Sequence, residues 1–176
     1  MLVTERLVLR ALDPEDAGAV ARGAGDRRVA RYLIAVPSPY PIALARAWVS
    51  ARARWWHEGR GVTFAITRRD ENELLGSVSL RRYARDRRAE LGYWLSTAAW
   101  GQGYASEATR ATVMFGFQEL GLARIYAQVL AGNGASMRVL EKLGMVNEGT
   151  KRQHIKKGRH LHDIVLFGLL RAEWTA

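Results

Sequence analysis

The sequence predicts an α/β (α+β) domain: one mixed, mostly antiparallel sheet of about seven strands flanked by about four helices. Three observations carry this. Short apolar runs and amphipathic stretches follow one another in the order β-α-α-β-β-β-α-β-α-β-β. Three consecutive strand candidates in the middle of the chain are joined by short polar turns, which suits an antiparallel meander. The 176 residues, 48% hydrophobic and 25% charged, suit a single domain spanning 1–176 with a proper core.

In order, Leu7-Val8-Leu9-Arg10 is the first strand. Asp13-Pro14-Glu15-Asp16 opens a helix, with Asp13 as its cap and Pro14 at the first helical position, running to about Arg22. Pro37, Pro39 and Pro41 make the next segment an extended loop. From Ile42 to Glu58, Leu44, Trp48, Ala51 and Trp55 recur at helical spacing, and Gly59 and Gly61 end the element. The meander comprises Val62 to Thr67, Leu74 to Tyr83 and Ala89 to Leu95. A helix from Gly103 to Leu120 places Tyr104, Ala108, Ala111 and Phe115 on one face and stops at Gly121. Arg124 to Leu130 is a strand, and Asn133 to Leu143 a helix capped by Asn133. Strands from Met145 to about His154 and from Leu161 to Leu170 complete the pattern.

The net charge is +10, from 27 Lys and Arg against 17 Asp and Glu. That excess favours acidic partners, whether a phosphorylated cofactor, an acidic protein or RNA. The basic residues form no single stripe interleaved with aromatics, so nucleic-acid binding is secondary. The N-terminus, MLVTERLVLR, lacks the basic start and apolar run of a signal peptide, and no uncharged apolar run approaches the length of a membrane span. Without cysteine there is no disulfide framework and no thiol nucleophile, so a cytoplasmic location is expected.

The most informative stretch is Trp94 to Glu107, WLSTAAWGQGYASE. A strand ends there and Gly101-Gln102-Gly103 opens a helix. The first N–H groups of a helix lack intrahelical partners and carry the positive end of the macrodipole. Glycines let a ligand approach them, which makes a cradle for a phosphate or pyrophosphate. Glycines serving only a tight turn are the plainer alternative. A dinucleotide fingerprint is disfavoured: Ser106 stands at its third glycine, and Leu120-Gly121-Leu122 lies where its acidic residue belongs.

WGQGYASEA at the central helix and N133-G-A-S136-M-R-V-L-E-K-L-G-M145 after the next strand resemble the GCN5-related N-acetyltransferases (GNAT). TERLVLR, AELGYWL, GLARIYAQV and HDIVLF with Glu173-Trp174 resemble the branch that acetylates ribosomal-protein N-termini. The resemblance covers nearly the whole chain. It implies a GNAT fold whose sheet is splayed at an acetyl-CoA site. Backbone N–H groups of Gln102, Gly103, Tyr104 and Ala105 would hold the pyrophosphate, with Ser106 in the same helical turn. Trp100 departs from the Arg or Gln that usually opens this motif. Asn133 matches the residue that hydrogen-bonds the pantetheine arm, and an ordinary helix cap is compatible with that role.

In this family an amine attacks the thioester directly. That requires a neutral amine, a stabilised carbonyl oxyanion and a proton for the thiolate. The resemblance implies a bulge near Trp94 and Leu95 that opens the sheet, with a backbone N–H near Leu95 facing the carbonyl. Glu90 is the first candidate for general base, the alternative being a surface carboxylate near Arg87 or Arg88. His154 is the second. A glutamate that some relatives carry after the last helix is Ile155 here, and the tyrosine many use as general acid is Leu140. Ser136 takes that candidacy, against an ordinary first-turn serine. His160-x-His162 with Asp163 has metal-like spacing but no evident further ligand, and the family uses no metal.

The expected activity is acetyl transfer from acetyl-CoA to a primary amine: a protein N-terminus, such as that of a ribosomal protein, or a small molecule. Residues 22–41 are expected to line the acceptor side. Homodimers are common in this branch. The competing readings are a non-catalytic acyl-CoA-binding module and an RNA-associated protein.

Overall fold

A computed structural model of the protein describes residues 1–175. The elements are β1 (Leu2–Val3), β2 (Leu7–Ala11), α1 (Ala17–Gly25), α2 (Arg27–Ala30), α3 (Ile42–His57), β3 (Gly61–Arg68), β4 (Leu74–Tyr83) and β5 (Arg88–Leu95). They continue with α4 (Tyr104–Gln118), β6 (Arg124–Leu130), α5 (Gly134–Lys142), β7 (Val146–Lys157) and β8 (His160–Leu170). One eight-stranded sheet has the order β1-β2-β3-β4-β5-β6-β8-β7. All neighbours are antiparallel except β5 and β6.

The sequence expectation holds for this architecture, with one more strand and one more helix. β1 has two residues and α2 four, too short for periodicity to reveal. Asp13 caps as expected: its side chain accepts from the Glu15 N–H, and Asp16 bonds back to the Asp13 N–H. The turn it caps is a separate 3₁₀ turn, Pro14–Asp16, which leads into α1. The buried face of α3 is rotated from the expected one. Ala45, Val49 and Trp55 are buried, whereas Leu44 is 51% exposed. Small Ala45 lets this helix lie closer to the sheet than Leu44 would. α4 buries Tyr104, Ala108 and Ala111 as expected, and Gly121 at φ +60° ends its connection in the left-handed region.

Two cores cover the two faces of the sheet. α4 and α5 cover the face built from Val78, Leu80, Leu91, Ile125, Ala127 and Phe167. α1 and α3 cover part of the other, through Val20, Ala45, Val49, Ala65 and the half-buried Trp94. α1 packs close: a β-carbon on Gly23 would lie 2.8 Å from the Trp94 ring. Gly92, one turn of the pleat away on a central strand, is nevertheless exposed. The α1/α3 face is therefore open over the middle of β5, which a fully covered sheet would not allow.

β5 and β6 pair only from Arg88–Leu91 to Arg124–Ala127. Beyond that each stays with its outer neighbour, β5 with β4 as far as Leu95↔Gly76 and β6 with β8 as far as Leu130↔Ile164. The sheet splits between them. The expected bulge in β5 is absent, because its register with β4 runs unbroken from Arg88 to Leu95. The irregularity lies one strand away, where β4 skips Leu75 against β3. The splay arises from divergence of two strand pairs, each held by a continuous ladder.

Candidate active site

The split opens toward the ends of β5 and β6, and three structures meet there. The first is the turn to α4. The Trp100 indole N–H donates to the Leu95 carbonyl at 2.9 Å, and the Gln102 side-chain amide donates to Ala98 O. Trp100, the departure from the family motif, thus pins the turn to the strand. Gly101 and Gly103 adopt φ of +75° and +81°, which favours glycine. Gly103 is the N-cap of α4 and no side chain caps the helix. The first helical bond runs from the Glu107 N–H to Gly103 O, leaving the N–H groups of Gly103 to Ser106 without helical partners. Tyr104 offers only its backbone, since its ring is buried with the Arg6 guanidinium 4.7 Å from the ring centre.

Arg6 clamps this turn, donating from Nη1 to Gln102 O at 2.9 Å and from Nε to Glu107 at 2.8 Å. Glu107 also accepts from the Arg6 backbone N–H and the Thr4 hydroxyl. Burial alone would raise the Glu107 carboxyl, but the Thr4 hydroxyl and the Arg6 donors outweigh it and hold it below the usual range. A carboxyl depressed in the fold stabilises above its unfolded value and loses that contribution as pH falls through its folded value. Glu107→Ala should lower stability by about 1–2 kcal/mol, after discount for the exposed Arg6. The melting temperature should fall by about 2–8 °C, and the deficit should shrink at acid pH, as a thermal melt at pH 7 and pH 4 will read.

The second structure is the gap itself. The Ser96 N–H bonds to Leu75 O on the β4 side. By strand alternation the N–H groups of Tyr93 and Leu95 point the other way, toward the gap. Trp94 faces β4 with its backbone and packs its ring under α1, so it supports the strand and presents nothing to the gap. Across the gap, Asn133 caps α5 by accepting from the Ser136 N–H at 3.2 Å. The Tyr93 hydroxyl lies 2.8 Å from Ser136 Oγ and donates to Ser136 O at 3.1 Å. Tyr93 was missed in the sequence; only its odd-numbered place on β5, on the face of α5, pointed to it. Leu140 is fully buried core.

The third is the open face. Glu90 accepts from the Gln128 amide at 3.1 Å and has Arg81 at 4.0 Å, with 22% of its side chain exposed. It pairs with Tyr126 one residue before the split. Burial, with Tyr83 and Glu90 nearby, raises the Tyr126 phenol above its ordinary value. Glu90, Gln128 and the exposed Gly92 thus face the uncovered region. His154 does not join them. It is exposed within a two-residue bulge of β7, three strands from β5 and so about 14 Å or more away. No group of three His, Cys, Asp or Glu suited to a metal occurs among the described residues.

This arrangement agrees with the comparisons. The family model for the acetyltransferase (GNAT) domain matches residues 6–146. The chain belongs to the GNAT acetyltransferases. An uncharacterized N-acetyltransferase, YoaA of Bacillus subtilis, is 34% identical over 97% of both chains. A GNAT-family acetyltransferase structure from Bacillus anthracis is 29% identical with TM-score 0.87, covering 98% of this chain and 99% of that one. RimL, the ribosomal L7/L12 alpha-N-protein acetyltransferase solved with coenzyme A, shares the fold at 21% identity with TM-score 0.86, over 96% of each chain. The GNAT family assignment makes this chain an N-acetyltransferase.

Proposed function

We propose that this GNAT enzyme binds acetyl-CoA in the split sheet and acetylates a primary amine, with a protein N-terminal α-amine as the acceptor. The observation that carries this reading is the split itself, with unpaired helix N–H groups at one lip and Tyr93–Ser136 across it. The backbone of Gln102, Gly103, Tyr104, Ala105 and Ser106 holds the pyrophosphate, and Asn133 the pantetheine arm. The Leu95 N–H meets the carbonyl oxygen as charge develops. Glu90 takes the amine proton through water.

For the leaving thiolate, burial pushes the Tyr93 phenol up to about 12. An ordinary thiol titrates near 8.5, so proton transfer from this phenol runs uphill by roughly three pH units. A serine hydroxyl is a weaker acid still, so neither group ionises. Tyr93 holds Ser136 in place as a neutral hydrogen-bond partner. Ser136 Oγ donates a hydrogen bond to the developing thiolate, and the thiolate takes its proton from solvent. Ser136→Ala should lower kcat about ten-fold or more, whereas Tyr93→Phe should lower it by less than about five-fold. Single-turnover kinetics will rank the two; a larger loss in Tyr93→Phe reverses their roles.

The reading extends to a single cytoplasmic domain, with a second copy as a candidate partner. The named activity of RimL supports the acceptor class. The test is release of free thiol from acetyl-CoA with small amines and with peptides beginning Ala, Ser or Met. Turnover with one class, above hydrolysis without acceptor, is the expected outcome. Tight acetyl-CoA binding with no turnover on any of them would favour a non-catalytic acyl-CoA module.

A further inference from the structure

The uncovered face over Glu90 is bounded by a rim of positive charge, most of it without an ion-pair partner among the described residues. α2 forms one side. The Arg28 guanidinium donates to the Thr97 hydroxyl at 3.0 Å, which seats α2 beside the end of β5. The Lys157 ammonium reaches from β7 to the carbonyls of Ala30 and Leu33, so α2 and the β7–β8 hairpin are joined across the opening. The two segments read RRVAR (27–31) and KRQHIKKGR (151–159): eight cations and no carboxylate.

Register decides which of them face the acceptor. Cross-strand partners share a face of the sheet. Gln128 pairs with Leu166, Leu130 with Ile164, and Ile164 with Lys151; Lys157 pairs with His160. Lys151 and Lys157 therefore lie on the same face as Gln128 and Glu90. Only Arg28 in these segments forms an ion pair among the described residues, with Asp26 at 2.7 Å. Arg27, Arg31 and Lys151 are exposed and have no such partner.

We infer that the acceptor is an acidic polypeptide N-terminus: an α-amine at Glu90 followed by a chain carrying several carboxylates onto this rim. The inference rests on the acetyl-transfer reading and deepens it. Spacing argues for a chain. Ile164 and His160, the partners of Lys151 and Lys157, are four residues apart on β8, which separates the two backbone positions by roughly 13 Å. The Lys157 ammonium is drawn further off toward the Ala30 and Leu33 carbonyls. A small carboxylic acid cannot meet both, whereas an extended peptide can. RNA fits less well, because the two segments carry no Phe, Tyr or Trp and one histidine only, a poor platform for stacking successive bases.

The test compares three peptides with the same N-terminal residue and Asp/Glu, Gln or Lys at positions three to six, together with free glutamate. Thiol release gives kcat/KM at low and high salt, and anisotropy of labelled peptides gives binding without turnover. The acidic peptide should exceed the neutral one by about ten-fold at low salt, and the advantage should shrink as salt screens it. The variant R27Q/R31Q/K151Q should bring that ratio near one, leaving KM for acetyl-CoA and turnover of the neutral peptide within about two-fold. A thermal melt confirms that the variant folds. Equal kcat/KM for acidic and neutral peptides, preference for the Lys peptide, or free glutamate as good as the peptide would each overturn the inference. So would a short single-stranded RNA that displaces the acidic peptide as well as an unlabelled copy does. If no amine is turned over, yet the acidic peptide binds and R27Q/R31Q/K151Q abolishes that binding, the rim assignment stands while the acetyl-transfer reading fails.

Discussion

Glu90→Gln should lower kcat by about 100-fold while KM for acetyl-CoA stays unchanged, because the side chain lies on the acceptor face, away from the pyrophosphate turn. The substitution is nearly isosteric, and Gln128 can still donate to the remaining amide oxygen. The pH profile adds a second readout. An α-amine titrates near 7.7–8.0 and a lysine near 10.4. Without a base, only acceptor that is already neutral reacts. Activity of Glu90→Gln on an N-terminal peptide should therefore rise ten-fold per pH unit and level off at about pH 8. A rise continuing past pH 9 would indicate a lysine acceptor. Unchanged kcat in Glu90→Gln would remove this residue from the mechanism.

The second large effect is expected at Gly103. Its φ of +81° lies where a branched side chain is strained, and a β-carbon there would sit 3.3 Å from the Arg6 guanidinium. Gly103→Val should cost roughly 1–2 kcal/mol in backbone strain. It also places a side chain at the lip where the pyrophosphate approaches the unpaired N–H groups. Acetyl-CoA affinity should fall by about 100-fold, out of proportion to the stability change, since several charge-assisted hydrogen bonds are lost together. Calorimetric titration beside a thermal melt will separate the two. Gly121→Ala, with the same left-handed backbone but far from the turn, is the control: it should carry the strain without the affinity loss.

The sequence made the turn, the strand before it and both long helices after it legible, because glycine punctuation and 3.6-residue periodicity are local signals. The motifs that surround Ser136 and Glu90 single them out as candidates, and the fold brings Ser136 to the split and Glu90 to the last residues before it. What was not legible depends on contacts between distant segments. Arg6 lies 96 residues from Gln102, whose carbonyl it clamps. The partnership of Tyr93 with Ser136 depends on how far β5 and α5 diverge across a split that no periodicity encodes. Expecting a bulge in β5 failed for a related reason. A split between two strands can come from either strand or, as here, from each being held by its outer neighbour. His154 is a candidate in the sequence because it neighbours Ile155, where some relatives carry a glutamate; the strand order β5-β6-β8-β7 carries it away from Glu90.

The β7–β8 hairpin has a consequence beyond catalysis. β7 is the outer strand of the sheet, twelve residues long, and most of its residues are exposed. An open ladder of that length is a template for edge-to-edge pairing with another chain. Lys151, Arg152, Lys156 and Lys157 together with the kink between Lys151 and Ile155 oppose such pairing by repulsion and by broken register. The opposite edge needs less protection, since β1 is two residues long. The basic hairpin thus doubles as a safeguard of solubility, and stripping all its charge would trade one kind of recognition for a tendency to aggregate.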